Sequence, residues 1–157
     1  MNAISDLFDQ TNALMRALAP IDDPDTLQLD DQGRCVASFD DWVVEFTLDP
    51  RAACITYATT LITLSESPDH LLMQRMLQAN ARPDETGGAV LALDVDARTV
   101  LWLAQQSITA DPDAFQVAFE GFLDRADGWA DILRAGGQVT ALSGSEAPRP
   151  GAPVIRG

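Results

Sequence analysis

The segment between Asp111 and Gly137 constrains the fold most, because it carries the longest regular pattern in the chain. Its apolar residues recur with the period of about 3.6 residues expected of an α-helix. They are Phe115, Ala118, Phe119, Phe122, Leu123, Ala126, Trp129, Ala130 and Leu133. Asp111-Pro112 supplies a capping side chain followed by a proline at the first helical position, and Gly136-Gly137 ends the pattern. A long amphipathic helix is therefore predicted, and its apolar stripe requires a sheet or a second helix to cover it.

The first half of the chain predicts one helix followed by three strands. The helix ends at Pro20, and its apolar stripe comprises Ile4, Leu7, Phe8, Thr11, Leu14 and Leu18. The predicted strands are Arg34–Phe39, Trp42–Leu48 and Ala53–Ile62, which are rich in β-branched and aromatic residues. Their connections are too short for crossover helices, so an antiparallel meander is expected.

A second helix and a β-hairpin are predicted to follow. The helix begins at Ser67-Pro68, again a cap and a proline, and it ends at Pro83. The hairpin strands are Val90–Val95 and Thr99–Ala104.

These elements predict an α+β fold with an antiparallel sheet, in the order helix, three-strand meander, helix, β-hairpin, helix. The loop Asp84–Gly88 precedes the hairpin, and its two glycines permit unusual backbone angles. Residues 1–136 are expected to form one domain. Residues 137–157 lack periodicity and are expected to be a flexible tail.

The charge of the chain restricts its partners. It contains 24 acidic residues and 10 basic residues, all of them arginine, for a net charge of −14. No basic patch is available to neutralise phosphates, so nucleic acid and an anionic membrane surface are excluded as partners. No apolar run approaches the ~20 residues of a membrane span, and the N-terminus lacks the features of a signal peptide. Together with two cysteines outside any CxxC pattern, these features predict a cytoplasmic protein.

The residues that catalysis requires are scarce. His70 is the single histidine, so a nucleophilic triad or a zinc site has little to draw on. Asp94-Val95-Asp96 lacks the ligand spacing of a calcium loop, and Thr86-Gly87-Gly88 is followed by no lysine to contact phosphate. The chain is therefore predicted to be no enzyme and to need no metal or cofactor.

Four stretches of the sequence are distinctive in combination: Leu29–Cys35 (LDDQGRC), Leu71–Asn80 (LLMQRMLQAN), Thr86–Asp94 (TGGAVLALD) and the aromatic helix beginning at Asp113. Together they resemble one known family, the class I type III secretion chaperones of the Tir-chaperone (CesT) family. The resemblance runs from about residue 3 to residue 135. Leu64–Pro68 and Gln105–Ser107 depart from the family pattern, the first by lacking a Leu-Pro step and the second by being polar.

The resemblance implies a bacterial, virulence-associated homodimer that binds the N-terminal region of a secreted effector. The effector segment wraps around the dimer in an extended, non-globular form and stays competent for secretion. No ATP is used, and the type III export apparatus is a further partner. The alternative is a regulatory or scaffold module of the same fold that binds a regulator of the secretion system.

The second helix is too apolar for one narrow stripe, since Leu71 to Leu77 includes five large apolar side chains. A symmetric dimer interface is one explanation. Burial of the helix on two sides within one protomer is the other. The residues predicted for the dimer interface are Leu72, Met73, Met76 and Leu77.

The first helix and the meander carry apolar residues on both faces, so one face is expected to stay open for an extended partner segment. The residues predicted to bind this cargo are Leu7, Phe8, Leu14, Val36, Val43 and Cys54. The acidic surface either favours basic stretches of the cargo or serves only solubility.

Overall fold

A computed structural model describes residues 3–136 and 154–155 of the chain. The helices are α1 (Ala3–Met15), α2 (His70–Asn80), α3 (Pro83–Thr86) and α4 (Pro112–Arg134), with a 3-10 turn at Arg16–Leu18. The strands are β1 (Arg34–Phe39), β2 (Trp42–Asp49), β3 (Cys54–Thr63), β4 (Val90–Asp94), β5 (Thr99–Ser107) and β6 (Val154–Ile155). The α+β fold that the sequence predicts is confirmed, and so is the order of the three predicted helices (α1, α2 and α4) and five strands (β1 to β5). α3 and β6 are additions.

The strands form one sheet in the order β4-β5-β3-β2-β1-β6. β1 and β2 are antiparallel, with Cys35 opposite Phe46, and β4 and β5 are antiparallel, with Leu91 opposite Trp102. β6 lies beside β1 and runs parallel to it. The meander and the hairpin predicted from the sequence therefore belong to the same sheet.

The described residues divide into two compact units. The first contains 3–57, 105–120 and 154–155, and the second contains 58–104 and 121–136. Apart from β6, the predicted tail 137–157 lies outside the described residues.

Aromatic rings form the core of the first unit. The ring of Phe119 in α4 lies 4.7 Å from that of Phe39 and 5.5 Å from that of Tyr57, both in edge-to-face geometry. Phe46 is fully buried beside Phe119, with ring centroids 5.6 Å apart. Such pairs add about 0.5–1.5 kcal/mol each to the free energy gained by burying apolar area. The first half of α4 is thereby held against β1, β2 and β3.

Trp102 forms the centre of the second unit. Its side chain is fully buried, and its indole Nε1 donates a hydrogen bond of 3.0 Å to the Phe122 carbonyl of α4. The Trp102 ring stacks on Phe122 at 5.9 Å and lies 6.4 Å from Trp129. The predicted spacing of α4 thus places Phe115, Phe119 and Phe122 in the core, whereas Trp129 is half-buried and Ala118 is exposed.

α2 begins two residues later than the sequence predicts. Asp69, and not Ser67, caps it, because the Asp69 carboxylate accepts a hydrogen bond of 2.8 Å from the Leu72 amide. Pro68 therefore precedes the cap and lies outside the helix. The prediction was wrong because two capping residues lie within three positions, and the sequence alone does not rank them.

The predicted loop after α2 contains one helical turn, α3. Pro83 takes its first position, where the missing amide costs nothing. Gly87 ends the turn in the left-handed region with φ of 64°, and Gly88 follows with φ of 86°. A Cβ at Gly87 would lie 2.7 Å from Cζ of Arg125, whereas a Cβ at Gly88 would meet nothing within 4 Å.

We expect Gly87→Ala to lower the free energy of unfolding by about 2 kcal/mol and Gly88→Ala by about 1 kcal/mol. Left-handed backbone costs a residue with a side chain about 1–2 kcal/mol, and only Gly87→Ala must also displace Arg125. Gly128→Ala in α4 is the control, since a Cβ there meets nothing within 4 Å, and it should raise stability by about 0.5–1 kcal/mol. Urea unfolding followed by circular dichroism measures all three. Equal losses at Gly87 and Gly88 would show that Arg125 moves aside without cost.

Candidate protein-binding surfaces

α2 exposes large apolar side chains to solvent. Leu77 is 70% exposed, Leu71 62% and Met73 42%. Met73 and Leu77 lie four positions apart and therefore share one face of the helix. Neighbouring exposed apolar side chains of this kind make α2 a candidate binding surface.

The other two residues predicted for the dimer interface differ in their surroundings. Leu72 is half-buried, and Met76 is 6% exposed in the core of its own unit. Met76 consequently offers little surface to a second chain. The face that the structure leaves open on α2 is the set Leu71, Met73 and Leu77.

Asn80, at the end of α2, fixes the helix to the edge of the sheet. Its side-chain Oδ1 accepts a hydrogen bond of 2.8 Å from the Leu91 amide, and its Nδ2 donates one of 2.9 Å to the Leu91 carbonyl. The amide group thus imitates a neighbouring strand and covers the outer edge of β4 at this residue. Arg75 adds a second tether, because its Nη1 donates a hydrogen bond of 3.3 Å to the Ile132 carbonyl of α4.

A pocket of about 130 Å³ lies beside α2 in the second unit. It is too small for a cofactor, since ligand sites usually hold about 300 Å³ or more. The pocket is lined by Ile62, Leu64, Asp69, Leu71, Leu72, Arg75, Leu133 and Gly136.

The β4–β5 hairpin has a second apolar face that the sequence analysis did not single out. Val90 pairs with Leu103 and Ala92 pairs with Leu101, so these four side chains share the face opposite the buried Trp102. Val90 is 37% exposed and the other three are half-buried. The sequence did contain a signal for this second face, because β4 is apolar at consecutive positions and a strand points consecutive side chains to opposite faces.

The first unit also has an open face. Val43 is 46% exposed on β2, while Val36 on β1 and Cys54 on β3 are half-buried. Each lies next to a residue that is buried on the opposite face, since Val44 is fully buried beside Val43. The structure therefore places three of the predicted cargo-binding residues on the solvent side of their strands.

The three predicted cargo-binding residues of α1 are placed differently. Leu7 and Phe8 are half-buried, and the Phe8 ring lies 3.5 Å from the position of a Cβ at Gly33. Leu14 is 3% exposed and belongs to the core. Leu14 therefore supports the fold of its unit and presents almost no surface to a cargo segment.

The cysteine thiols and the tyrosine are held protonated. Burial raises the pKa of Cys35, and burial together with the Asp49 carboxylate raises the pKa of Cys54. Burial also raises the pKa of Tyr57 to about 12. Since the thiolate is the reactive form, both cysteines are weak nucleophiles at neutral pH.

Within residues 3–136 and 154–155, no group of three or more histidine, cysteine or acidic side chains is arranged to hold a metal ion. In the same residues, no helix is both long and apolar enough to cross a membrane.

Comparison with known proteins identifies the family. Residues 17–130 match the model of the Tir chaperone protein (CesT) family, which covers well over half of the chain. The chain therefore belongs to the Tir chaperone protein (CesT) family, as the resemblance in the sequence predicted. No curated protein sequence matches the chain at a significant level.

Two solved structures share the fold. A chain of the ExsC–ExsE complex superposes with a TM-score of 0.68 at 17% identity, covering 80% of this chain and 95% of that chain. A chain of the HopA1–SchA chaperone–effector complex superposes with a TM-score of 0.61 at 20% identity, covering 82% of this chain and 97% of that chain. At such low identities the two superpositions establish the common fold alone.

We expect Asn80→Ala to lower the free energy of unfolding by about 1–3 kcal/mol, because it leaves both polar groups of the part-buried Leu91 backbone without their partner. Thermal or urea unfolding measures the loss. Gln78→Ala, an exposed change on the same helix, is the control and should have almost no effect. If Asn80→Ala proved as stable as Gln78→Ala, the tether to the sheet edge would have no energetic role.

Proposed function

We propose that this protein is a cytoplasmic bacterial chaperone that binds the N-terminal segment of a type III secreted effector and keeps it secretion-competent without using ATP. The observation that carries the proposal is the pair of apolar surfaces on the described residues, one around Val43 and one on α2. Membership of a chaperone family supports the same function. The HopA1–SchA structure, a chaperone–effector complex of the same fold, adds further support.

The open face around Val43 suits an extended segment. Its side chains alternate with the core residues of the strands, so a bound segment can place every second side chain against it. Holding the segment costs roughly 1–2 kcal/mol per residue in backbone entropy. Burial of apolar surface returns about 25 cal/mol per Å². A long, shallow track therefore binds a chain while leaving it unfolded.

α2 suits a symmetric dimer. A two-fold axis beside the helix brings the same patch of each protomer together, so Met73 and Leu77 can cover their equivalents. The residues of this face are distinct from the strand residues proposed to bind the cargo. The net charge of −14 keeps such a dimer soluble and favours cargo segments with basic residues. A cargo that is held unfolded in this way stays ready for delivery to the export apparatus.

We expect the double substitution Met73→Glu and Leu77→Glu to convert a dimer into a folded monomer. The charges would have to be buried in the dimer without partners but stay hydrated in the monomer. Light scattering coupled to size exclusion should give about 16.9 kDa for the variant and about twice that mass for the unaltered protein.

Gln74→Glu with Gln78→Glu is the matched control, since it adds the same charge to exposed polar positions of α2. A control that also dissociates the dimer would show that charge repulsion, and not loss of the apolar contact, is responsible. A double Met73, Leu77 variant that remained dimeric would place the interface elsewhere. Met76→Glu is unsuitable for this test, because Met76 lies in the core of the protomer and its loss would disturb folding.

We expect Val43→Asp to weaken the complex with a co-expressed effector N-terminal segment at least tenfold, while leaving the dimer intact. The added carboxylate interrupts the apolar face that the segment covers. Co-purification followed by titration calorimetry measures the change. Val117→Asp on α4 is the matched control, because Val117 is also an exposed valine, at 69%, and lies on a helix.

Equal loss of affinity in the two valine variants would contradict a cargo track on the strands. Retention of full affinity by Val43→Asp would contradict it too. The protein can also be co-expressed with an effector and, separately, with a regulator of the secretion system. Capture of the regulator but not of the effector would contradict the chaperone function and support the regulatory one.

A further inference from the structure

Residues 154–155 supply the strand beside β1 at one end of the described sheet. β6 lies parallel to the end of β1, with Val154 opposite Ser38 and Ile155 opposite Phe39. Both strands belong to the first compact unit. The strand contains only two residues, so few hydrogen bonds hold it in place.

The backbone groups of β1 alternate in direction along the rest of this edge. At Arg34 the amide donates to the Asp30 carboxylate (2.9 Å), and the carbonyl accepts from the Asp30 amide (2.7 Å). The backbone groups of Arg34 therefore point away from β2, and by alternation those of Val36 and Ser38 do so as well. Asp30 covers the edge at Arg34, and β6 covers it at Ser38. Among the described strands, none pairs with Val36 on this side.

The two edges of the sheet are thus protected in different ways. Asn80 covers the β4 edge from within a helix, through two hydrogen bonds to Leu91. The β1 edge is covered by the main chain of β6. A side chain anchored in a helix cannot be replaced by another strand without moving the helix, whereas a strand of two residues is held by few hydrogen bonds and can be displaced.

We propose that β6 is an internal competitor for the cargo: it occupies the β1 edge in the free protein and is displaced when an extended segment of the cargo adds a strand there. This inference rests on the proposed chaperone function. β6 also guards the edge against pairing with another copy of the sheet, which is the hazard of any open edge strand.

The sequence of the terminal segment fits a self-ligand. Residues 137–157 carry two arginines and one glutamate, whereas the whole chain has a net charge of −14. The segment is therefore attracted to the acidic remainder of the protein. Prolines at 148, 150 and 153 reduce the number of conformations open to the unbound segment, so less entropy is lost when Val154 and Ile155 pair with β1.

Tethering makes β6 an effective competitor for the β1 edge, although its own pairing is weak. A segment joined to its site by a short linker competes at an effective concentration on the order of mM. A peptide that offers only a matching strand therefore fails to displace it at ordinary concentrations. A cargo segment that also contacts another surface, such as the face around Val43, gains enough binding free energy to displace β6. The competitor then favours long segments with several anchor points over short apolar peptides.

A fluorescent peptide with the sequence of residues 148–157 tests the inference without any effector. If β6 occupies the edge nine-tenths of the time, the full chain should bind this peptide about tenfold more weakly than a chain ending at residue 147. The full chain with Ile155→Pro should bind like the truncated one, since proline removes a backbone donor from the strand. Fluorescence anisotropy measures all three affinities.

Val139→Pro in the full chain is the matched control and should leave peptide binding weak. Amide exchange of Ser38 provides a second readout, and it should accelerate in Ile155→Pro but not in Val139→Pro. Equal peptide affinity for the full and truncated chains overturns the inference. Unchanged exchange at Ser38 in Ile155→Pro overturns it as well.

The outcomes separate this inference from the proposed function. If the effector segment binds the full and the truncated chains equally well, the chaperone function stands and the competitor is refuted. If no effector segment binds either chain while the peptide results are as expected, β6 protects the edge but the chaperone function fails.

Discussion

The packing of α4 against one face of the strands is the interaction on which the rest of the structure depends. In the first unit, the Phe119 ring of α4 contacts the rings of Phe39, Phe46 and Tyr57. In the second unit, the Trp102 indole donates a hydrogen bond to the backbone of α4. A strand alternates its side chains, so a helix can cover only one of its two faces. Once α4 has taken one face, the apolar residues of the other, such as Val43, are available to a second chain.

The sheet edges follow from the same constraint. An edge strand presents unpaired backbone groups, which another strand can pair with. In this protein the β4 edge is closed by Asn80 and the β1 edge by β6. A protein that must receive an extended partner needs an edge that is protected when the partner is absent and accessible when it is present. A two-residue strand suits both requirements better than a side chain within a helix, because few hydrogen bonds hold it.

Much of the fold was predictable from the sequence, because α4 and the meander have clear periodicity. The start of α2 was not, since Ser67 and Asp69 are both good caps. β6 is too short for any pattern to show. The residues of the binding surfaces were harder to predict from the sequence. Leu14 and Leu7 occupy the same predicted stripe of α1, yet Leu14 is buried and Leu7 is half-buried. A stripe indicates which side of a helix is apolar, but only tertiary packing determines which of its residues stay exposed.

The open face around Val43 also carries an acidic residue. Val43 and Glu45 lie on the same face of β2, both exposed, and Glu45 lies opposite Val36. Like charges opposing each other across two strands are unfavourable, so this arrangement resists pairing with a second copy of the acidic sheet. The Glu45 carboxylate on this face would also attract a basic side chain of a bound strand. The same charge can therefore oppose pairing with a second copy and favour the basic cargo segment that the proposed function requires.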